Sequence, residues 1–170
     1  MTPWWHSCDK PECDSCNMLH SPVYAERYLA LTKAVSVNEF VLEFDNETPR
    51  LKGGRCQDCG NYTFPFLPGC AKCTGTNMES VTLGSTGTLW GWTVQGFPPK
   101  SPPYLGENDP DKFKPVGVGY VELPELIIEA RLTESEPAKL SEGMPMQLVA
   151  EPLYTDDQGN TVMTYAFAPV

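Results

Sequence analysis

Hydrophobic positions along the chain change their period between the first third and the rest. In Val23-Tyr-Ala-Glu-Arg-Tyr-Leu-Ala-Leu-Thr-Lys-Ala34, residues Tyr24, Tyr28 and Leu31 fall on one face, predicting a short amphipathic helix that docks on this chain or a partner. Residues 36–45 carry Val37, Phe40, Val41, Leu42 and Phe44, a run that fits a helical turn or a strand equally. From about residue 81 the period becomes two. Leu89-Trp-Gly-Trp-Thr-Val94 sets Trp90, Trp92 and Val94 on one side of a strand. Val116-Gly-Val-Gly-Tyr-Val-Glu-Leu123 is a second strand, whose glycines permit a bulge or a close backbone approach. In Leu126-Ile-Ile-Glu-Ala-Arg-Leu132, Leu126, Ile128, Ala130 and Leu132 face inward while Glu129 and Arg131 face out. Met146–Tyr154 and Thr161–Phe167 flank Thr155-Asp-Asp-Gln-Gly-Asn160, a hairpin turn by composition.

Five short strands with turn signals between them predict a small five-stranded barrel, closed or partly open, such as an OB-fold over residues 81–170. The fold class is therefore mainly β. One stretch breaks the pattern: Gly96 to Pro115 holds six prolines and no β period between two clear strands. A loop of that length in a compact domain is usually functional or disordered, which makes it the leading candidate contact surface. Ahead of the barrel lie a cysteine ribbon at 51–80 and an N-terminal Cys/His-rich arm with its helical segment at 1–50.

The ribbon carries the most specific chemistry. Arg55-Cys-Gln-Asp-Cys-Gly60 is a knuckle: two cysteines separated by two residues aim both sulfurs at one point, and Gly60 supplies the positive φ such a turn needs. Gly69-Cys-Ala-Lys-Cys73 is a second knuckle, ten residues further on, enough for a short hairpin. Cys56, Cys59, Cys70 and Cys73 are expected to hold one structural Zn2+ in a closed tetrahedral site with no place for water. Iron in a rubredoxin-type site shares this ligand set. Two knuckles at this spacing argue against four unligated cysteines.

The arm offers a second constellation. Cys8, Cys13 and Cys16, with His6 or His20, would make a Cys3His site, and a short arm without a core would gain order from such a metal. The alternative is an arm with free thiols.

Composition narrows the partners. Seven cysteines, an odd number, suit metal ligation better than disulfides. A net charge of −10 repels phosphate backbones and argues against a general nucleic-acid binder. No run approaches the ~20 apolar residues of a membrane span, and the opening residues lack the pattern of a secretory signal, so a cytoplasmic location is expected.

From Leu51 onward the chain resembles a known family: rubredoxin-like zinc ribbons fused to an OB-fold and associated with acyl-CoA enzymes. The features that carry the likeness are Leu51-Lys-Gly-Gly-Arg-Cys-Gln-Asp-Cys-Gly60, Phe64-Pro65 and Cys70-Ala-Lys-Cys73. They continue through Ser85-Thr-Gly-Thr-Leu-Trp90, Thr93-Val94, the Pro-rich loop, Val116-Gly-Val-Gly-Tyr-Val121 and Glu142-Gly-Met144. Thr74 departs from the family, which commonly has a second Cys-Gly there, and Phe66-Leu67 replaces the more usual Pro-Arg. These changes spare the zinc ligands but leave basic-residue roles in the ribbon in doubt. Members of the family are accessory subunits of thiolases, thiolase-like aldolases and hydratases, among them the zinc-finger subunit of benzoylsuccinyl-CoA thiolase. The resemblance implies a non-catalytic subunit in a hetero-oligomer, sharing a CoA thioester with a thiolase-type or hydratase-type partner and helping to shape or close the acyl-CoA pocket.

Side chains around the Pro-rich loop fit that implication. Trp90, Trp92, Phe97, Tyr104 and Phe113 cluster in or beside it, and aromatics are enriched at interface hot spots; alternatively, both tryptophans plug the barrel core. Lys100, Lys112 and Lys114 could meet CoA phosphates, although Glu107, Asp109 and Asp111 among them suit a merely solvated loop. Catalysis by this chain alone is disfavoured, because both histidines sit in the arm and no nucleophile motif is present. The rival reading is a single-stranded nucleic-acid-binding OB-fold with Trp90 and Trp92 as stacking platforms.

Overall fold

The computed structural model describes residues 34–100 and 107–170. The helix expected at 23–34, the arm's His6, Cys8, Cys13, Cys16 and His20, and Tyr104 of the loop all lie outside the described residues, save Ala34 at the helix's end, which is strand.

Ten strands make up the described architecture: β1 (Ala34–Ser36), β2 (Leu42–Asp45), β3 (Thr48–Cys56), β4 (Tyr62–Thr63), β5 (Met78–Thr82), β6 (Thr86–Gln95), β7 (Val116–Glu122), β8 (Ile127–Leu132), β9 (Pro145–Thr155) and β10 (Thr161–Pro169). Among the described residues there is no α-helix, only a short 3-10 turn at Pro137–Lys139.

The barrel runs β6-β7-β8-β10-β9 and closes where β9 pairs back onto β6 through Thr86–Thr88. Only the β8–β10 contact is parallel; the others are antiparallel. The five-stranded OB-fold that the alternating segments predict is thus closed. Along β8, Ile128, Ala130 and Leu132 are buried while Ile127 and Glu129 are exposed, and Leu126 packs half-buried on the core from just before the strand. Leu89, Val121, Met146 and Phe167 are essentially inaccessible to water. Removing each such side chain from water contributes about 1.5–3 kcal/mol.

The glycines of β7 serve close approach. A Cβ at Gly117 would lie 2.2 Å from the Glu134 carbonyl oxygen, so no larger residue fits without moving backbone. The bulge is instead on β6, where the register shifts between Leu89 and Gly91 and Trp90 becomes the extra residue.

Residues 36–45 resolve into strand ends around a turn. The Asn38 carbonyl accepts the Val41 and Leu42 amides at 3.1 and 3.0 Å, and its Oδ1 accepts the Phe40 amide at 2.8 Å. This turn delivers Leu42, fully buried, to pair with Leu51 on β3. β2 and the first three residues of β3 thus precede residue 51, where the sequence reading starts the ribbon.

In the ribbon, β3 pairs with β2 through its first half and with β4 and β5 through its second. Two contacts tie it to the barrel. Leu51 of β3, fully buried, belongs to the same core as Leu89 and Phe167. Phe64 stands edge-on to Tyr165 of β10 with ring centroids 5.4 Å apart, and the Tyr165 hydroxyl donates to the Glu129 carbonyl at 3.2 Å. At the far end of the barrel, the Asp156 carboxylate accepts the Gln158 and Asn160 amides and the Asn160 side chain, holding the β9–β10 turn. These bonds, the Asn160 side chain's first, hold its carboxyl below the ordinary aspartate range.

Candidate functional site

Each knuckle is a tight turn closed by a backbone bond over its first cysteine. The Gly60 amide donates to the Cys56 carbonyl at 2.9 Å with Gly60 at φ +72°. The Thr74 amide donates to the Cys70 carbonyl at 2.9 Å with Thr74 at φ +60°, so threonine fills a left-handed position in the second knuckle. Between the knuckles, β4 returns onto β3 and folds the second pair of cysteines over the first.

The structure brings Cys56, Cys59, Cys70 and Cys73 together, with all four sulfurs within 4.8 Å of one another. Cys56–Cys73 and Cys59–Cys70 are each separated by 3.6 Å. Four sulfurs on a tetrahedron about 2.3 Å from a zinc ion stand about 3.8 Å apart, so the spacing fits the ion, whereas a disulfide needs about 2.05 Å. Cys56 and Cys70 are buried; Cys59 and Cys73 face solvent.

The thiols respond unequally to this crowding. The Cys73 amide, with the Lys72 amide behind it, pulls the Cys70 thiol down to about 6 against the cost of burial. For Cys73 the Gly75 amide pulls downward, but contacts with Cys59, Cys56 and Cys70 outweigh it and push the thiol up to about 12. Four thiolates in mutual contact cannot all ionise without a cation among them. The donor set is soft and closed, which supports a structural zinc and leaves no open position for a reacting water.

The second feature is the aromatic surface along β6 and β7. Trp90 is 57% exposed and Trp92 36%, so neither plugs the core. The bulge explains why the simple alternation misplaces them. Beyond it Trp92 and Val94 pair with Gly119 and Gly117 on the inward side of β7, while Gly91 pairs with outward Tyr120. Trp90 leaves the stripe and meets Tyr120 edge to face, with centroids 6.2 Å apart. Sequence reading singled out both tryptophans and missed Tyr120, which is 46% exposed. The signal was present: once Gly117, Gly119 and Val121 point inward, Tyr120 must point out.

The Pro-rich loop connects the first and second barrel strands, and the Asp156 turn connects the fourth and fifth. OB-folds use these two loops and the neighbouring face for ligands. Of the loop residues, Phe97 and the amines of Lys100 and Lys114 are exposed, and Phe113 is half-buried. Lys112 is paired with Asp109 at 3.0 Å, and the Asp109 carbonyl accepts the Lys112 and Phe113 amides to form a turn. The ribbon and barrel contain no histidine, both being at positions 6 and 20.

The comparisons with known proteins follow the same division. The rubredoxin-like zinc ribbon domain of ChsH2 matches residues 47–79, and the C-terminal OB-fold domain of ChsH2 matches residues 80–151. A DUF35 domain-containing scaffold protein of Pyrococcus furiosus is 30% identical over 140 residues, covering 81% of this chain and 96% of the relative. The chain belongs to the ChsH2 (DUF35) family. It is also similar to the benzoylsuccinyl-CoA thiolase subunit BbsA of Thauera aromatica, 30% identical over 127 residues, covering 74% of this chain and 81% of the relative. The fold is similar to that of a chain in the solved Ltp2-ChsH2(DUF35) aldolase. That likeness has a TM-score of 0.51 and 26% identity, covering 71% of this chain and 84% of the other. Among the described residues no helix is long and apolar enough to cross a membrane.

Proposed function

We propose that this chain is the non-catalytic zinc-ribbon and OB-fold subunit of a thiolase-type acyl-CoA enzyme, held in a hetero-oligomer with the subunit that performs the chemistry. The observation that carries this reading is the pair of relatives, one a scaffold protein and one a thiolase subunit, matched over most of their length. A barrel and ribbon without histidine, beside a closed metal site, fit a partner's role. In this reading Cys56, Cys59, Cys70 and Cys73 bind Zn2+, which holds the ribbon against the barrel and takes no part in the reaction. The Pro-rich loop, with Phe97, Lys100, Phe113 and Lys114, contacts the partner and helps close the acyl-CoA pocket, and the CoA thioester is shared between the subunits. The complex works in the cytoplasm.

The test is co-expression with the thiolase-type subunit encoded in the same host. The expected result is a stable complex whose acyl-CoA activity needs both chains, with zinc, not iron, in the purified protein. A partner that is fully active alone and never co-purifies would sink the reading. Metal content also decides the arm: one zinc per chain assigns the ribbon alone, and two assign a second site to Cys8, Cys13 and Cys16 with His6 or His20.

A further inference from the structure

Nothing among the described residues covers the aromatic face of β6–β8, and its polarity is one-sided. Trp90 and Tyr120 touch each other yet remain 57% and 46% exposed, and Ile127 on β8 is 45% exposed. Cross-strand register completes the face: Tyr120 stands between Gly91 on β6 and Glu129 on β8, and Glu122, two residues along β7, pairs with Ile127.

Gly91 closes the β6 bulge and leaves open space on the aromatic face. A Cβ there would meet nothing within 4 Å among the described residues, and its φ is not in the left-handed region, so neither crowding by them nor a left-handed backbone demands glycine. Glycine inside a strand marks a bulge or a place where something approaches closely, and at Gly91 the bulge and an open space coincide. Here it leaves a notch beside the Trp90 and Tyr120 rings.

The rim carries two carboxylates without partners beside one arginine that is paired. Glu122 and Glu129 are exposed and form no ion pair among the described residues. Arg131, next outward on β8, is drawn to Glu151 at 3.7 Å, and the Glu125 carboxylate accepts the Gly84 amide. The notch is therefore aromatic-walled with unpartnered carboxylates beside it. A guanidinium satisfies both parts, stacking on rings while donating to carboxylates, and a nucleic-acid phosphate satisfies neither.

We propose that the notch formed by Trp90, Gly91 and Tyr120 receives an arginine of the thiolase-type partner, with Glu122 and Glu129 as its counter-charges. This rests on the partner-subunit reading above and fixes which face docks and what chemistry meets it. Arginine, tryptophan and tyrosine are the residues most concentrated at interface hot spots.

The experiment measures affinity between the full chain and the co-expressed thiolase-type subunit, with three variants. Gly91→Leu, whose Cβ meets nothing within 4 Å among the described residues, projects into the notch and is expected to melt as wild type does while weakening the complex at least about tenfold. The Glu122→Lys/Glu129→Lys double variant, at exposed positions, is expected to weaken it similarly and to flatten its salt dependence. Phe40→Ala, an exposed aromatic on the β1–β2 turn, should bind as wild type does. Wild-type affinity in Gly91→Leu and in the charge variant would overturn the assignment of this face while leaving the partner reading standing. Failure of the unaltered chain to bind any thiolase-type subunit would remove both. Binding of a single-stranded oligonucleotide that Gly91→Leu abolishes would transfer the face to nucleic acid and overturn the proposal as well.

Discussion

Thr74 occupies the position in the second knuckle that Gly60 occupies in the first, and both sit at positive φ. For glycine that conformation is free of steric cost, whereas a β-branched residue brings its Cβ against the neighbouring carbonyl, at about 1–2 kcal/mol. Part of that cost is offset locally, because the Thr74 hydroxyl donates to the Cys73 carbonyl at 2.7 Å. Thr74→Gly is therefore expected to raise the stability of the metal-loaded protein by about 0.5–1 kcal/mol, and Gly60→Ala to lower it by about as much. Denaturant midpoints of the two variants, moving in opposite directions, would check this; a drop for Thr74→Gly would mean that its hydroxyl matters more than its backbone. The knuckles were legible in the sequence because their geometry is local: five residues set each turn. The fate of Trp90 and Trp92 was not, because it depends on a single extra residue in β6. Counting by twos assumes an unbroken ladder, and the shift between Leu89 and Gly91 invalidates that count beyond it.

At the level of elements, strands whose inward residues repeat without interruption were readable and those decided by a neighbour were not. β8 shows the first case, with Ile128, Ala130 and Leu132 all buried as alternation demands. The segment at 36–45 shows the second: its apolar run suits either state, and the Asn38 turn together with pairing to β3 selects strand. β7 adds a lesson about glycine in strands. Its Gly117 could have marked a bulge or a close approach, and the 2.2 Å separation between a Cβ there and the Glu134 carbonyl decides for approach. Gly117→Ala is accordingly expected to push β7 away from the segment after β8 and to cost about 1–3 kcal/mol, as overpacking of a filled interior does. Equilibrium unfolding would check it, and a loss much smaller than this would show that the segment at Glu134 yields easily.

Across the whole of residues 35–170 the ribbon and barrel behave as one compact unit, although two separate domain patterns match them. Leu51 and Phe64 explain why: each leaves the ribbon to pack with barrel residues. The sequence shows the ribbon and the barrel separately, but not this joint, since a buried leucine carries no label for the core it will enter. If the ribbon holds zinc, removing the metal by chelation should lower the melting temperature of the whole unit in one cooperative transition. Calorimetry that instead resolves a ribbon transition and an unchanged barrel transition would refute that coupling. The joint has a consequence for supply as well as for stability. In the proposed complex, a chain whose ribbon has not closed on zinc would hold Leu51 less firmly in the barrel core, so metal supply would limit the chains able to assemble. Leu51 would then make a chemically inert ion a condition for assembly.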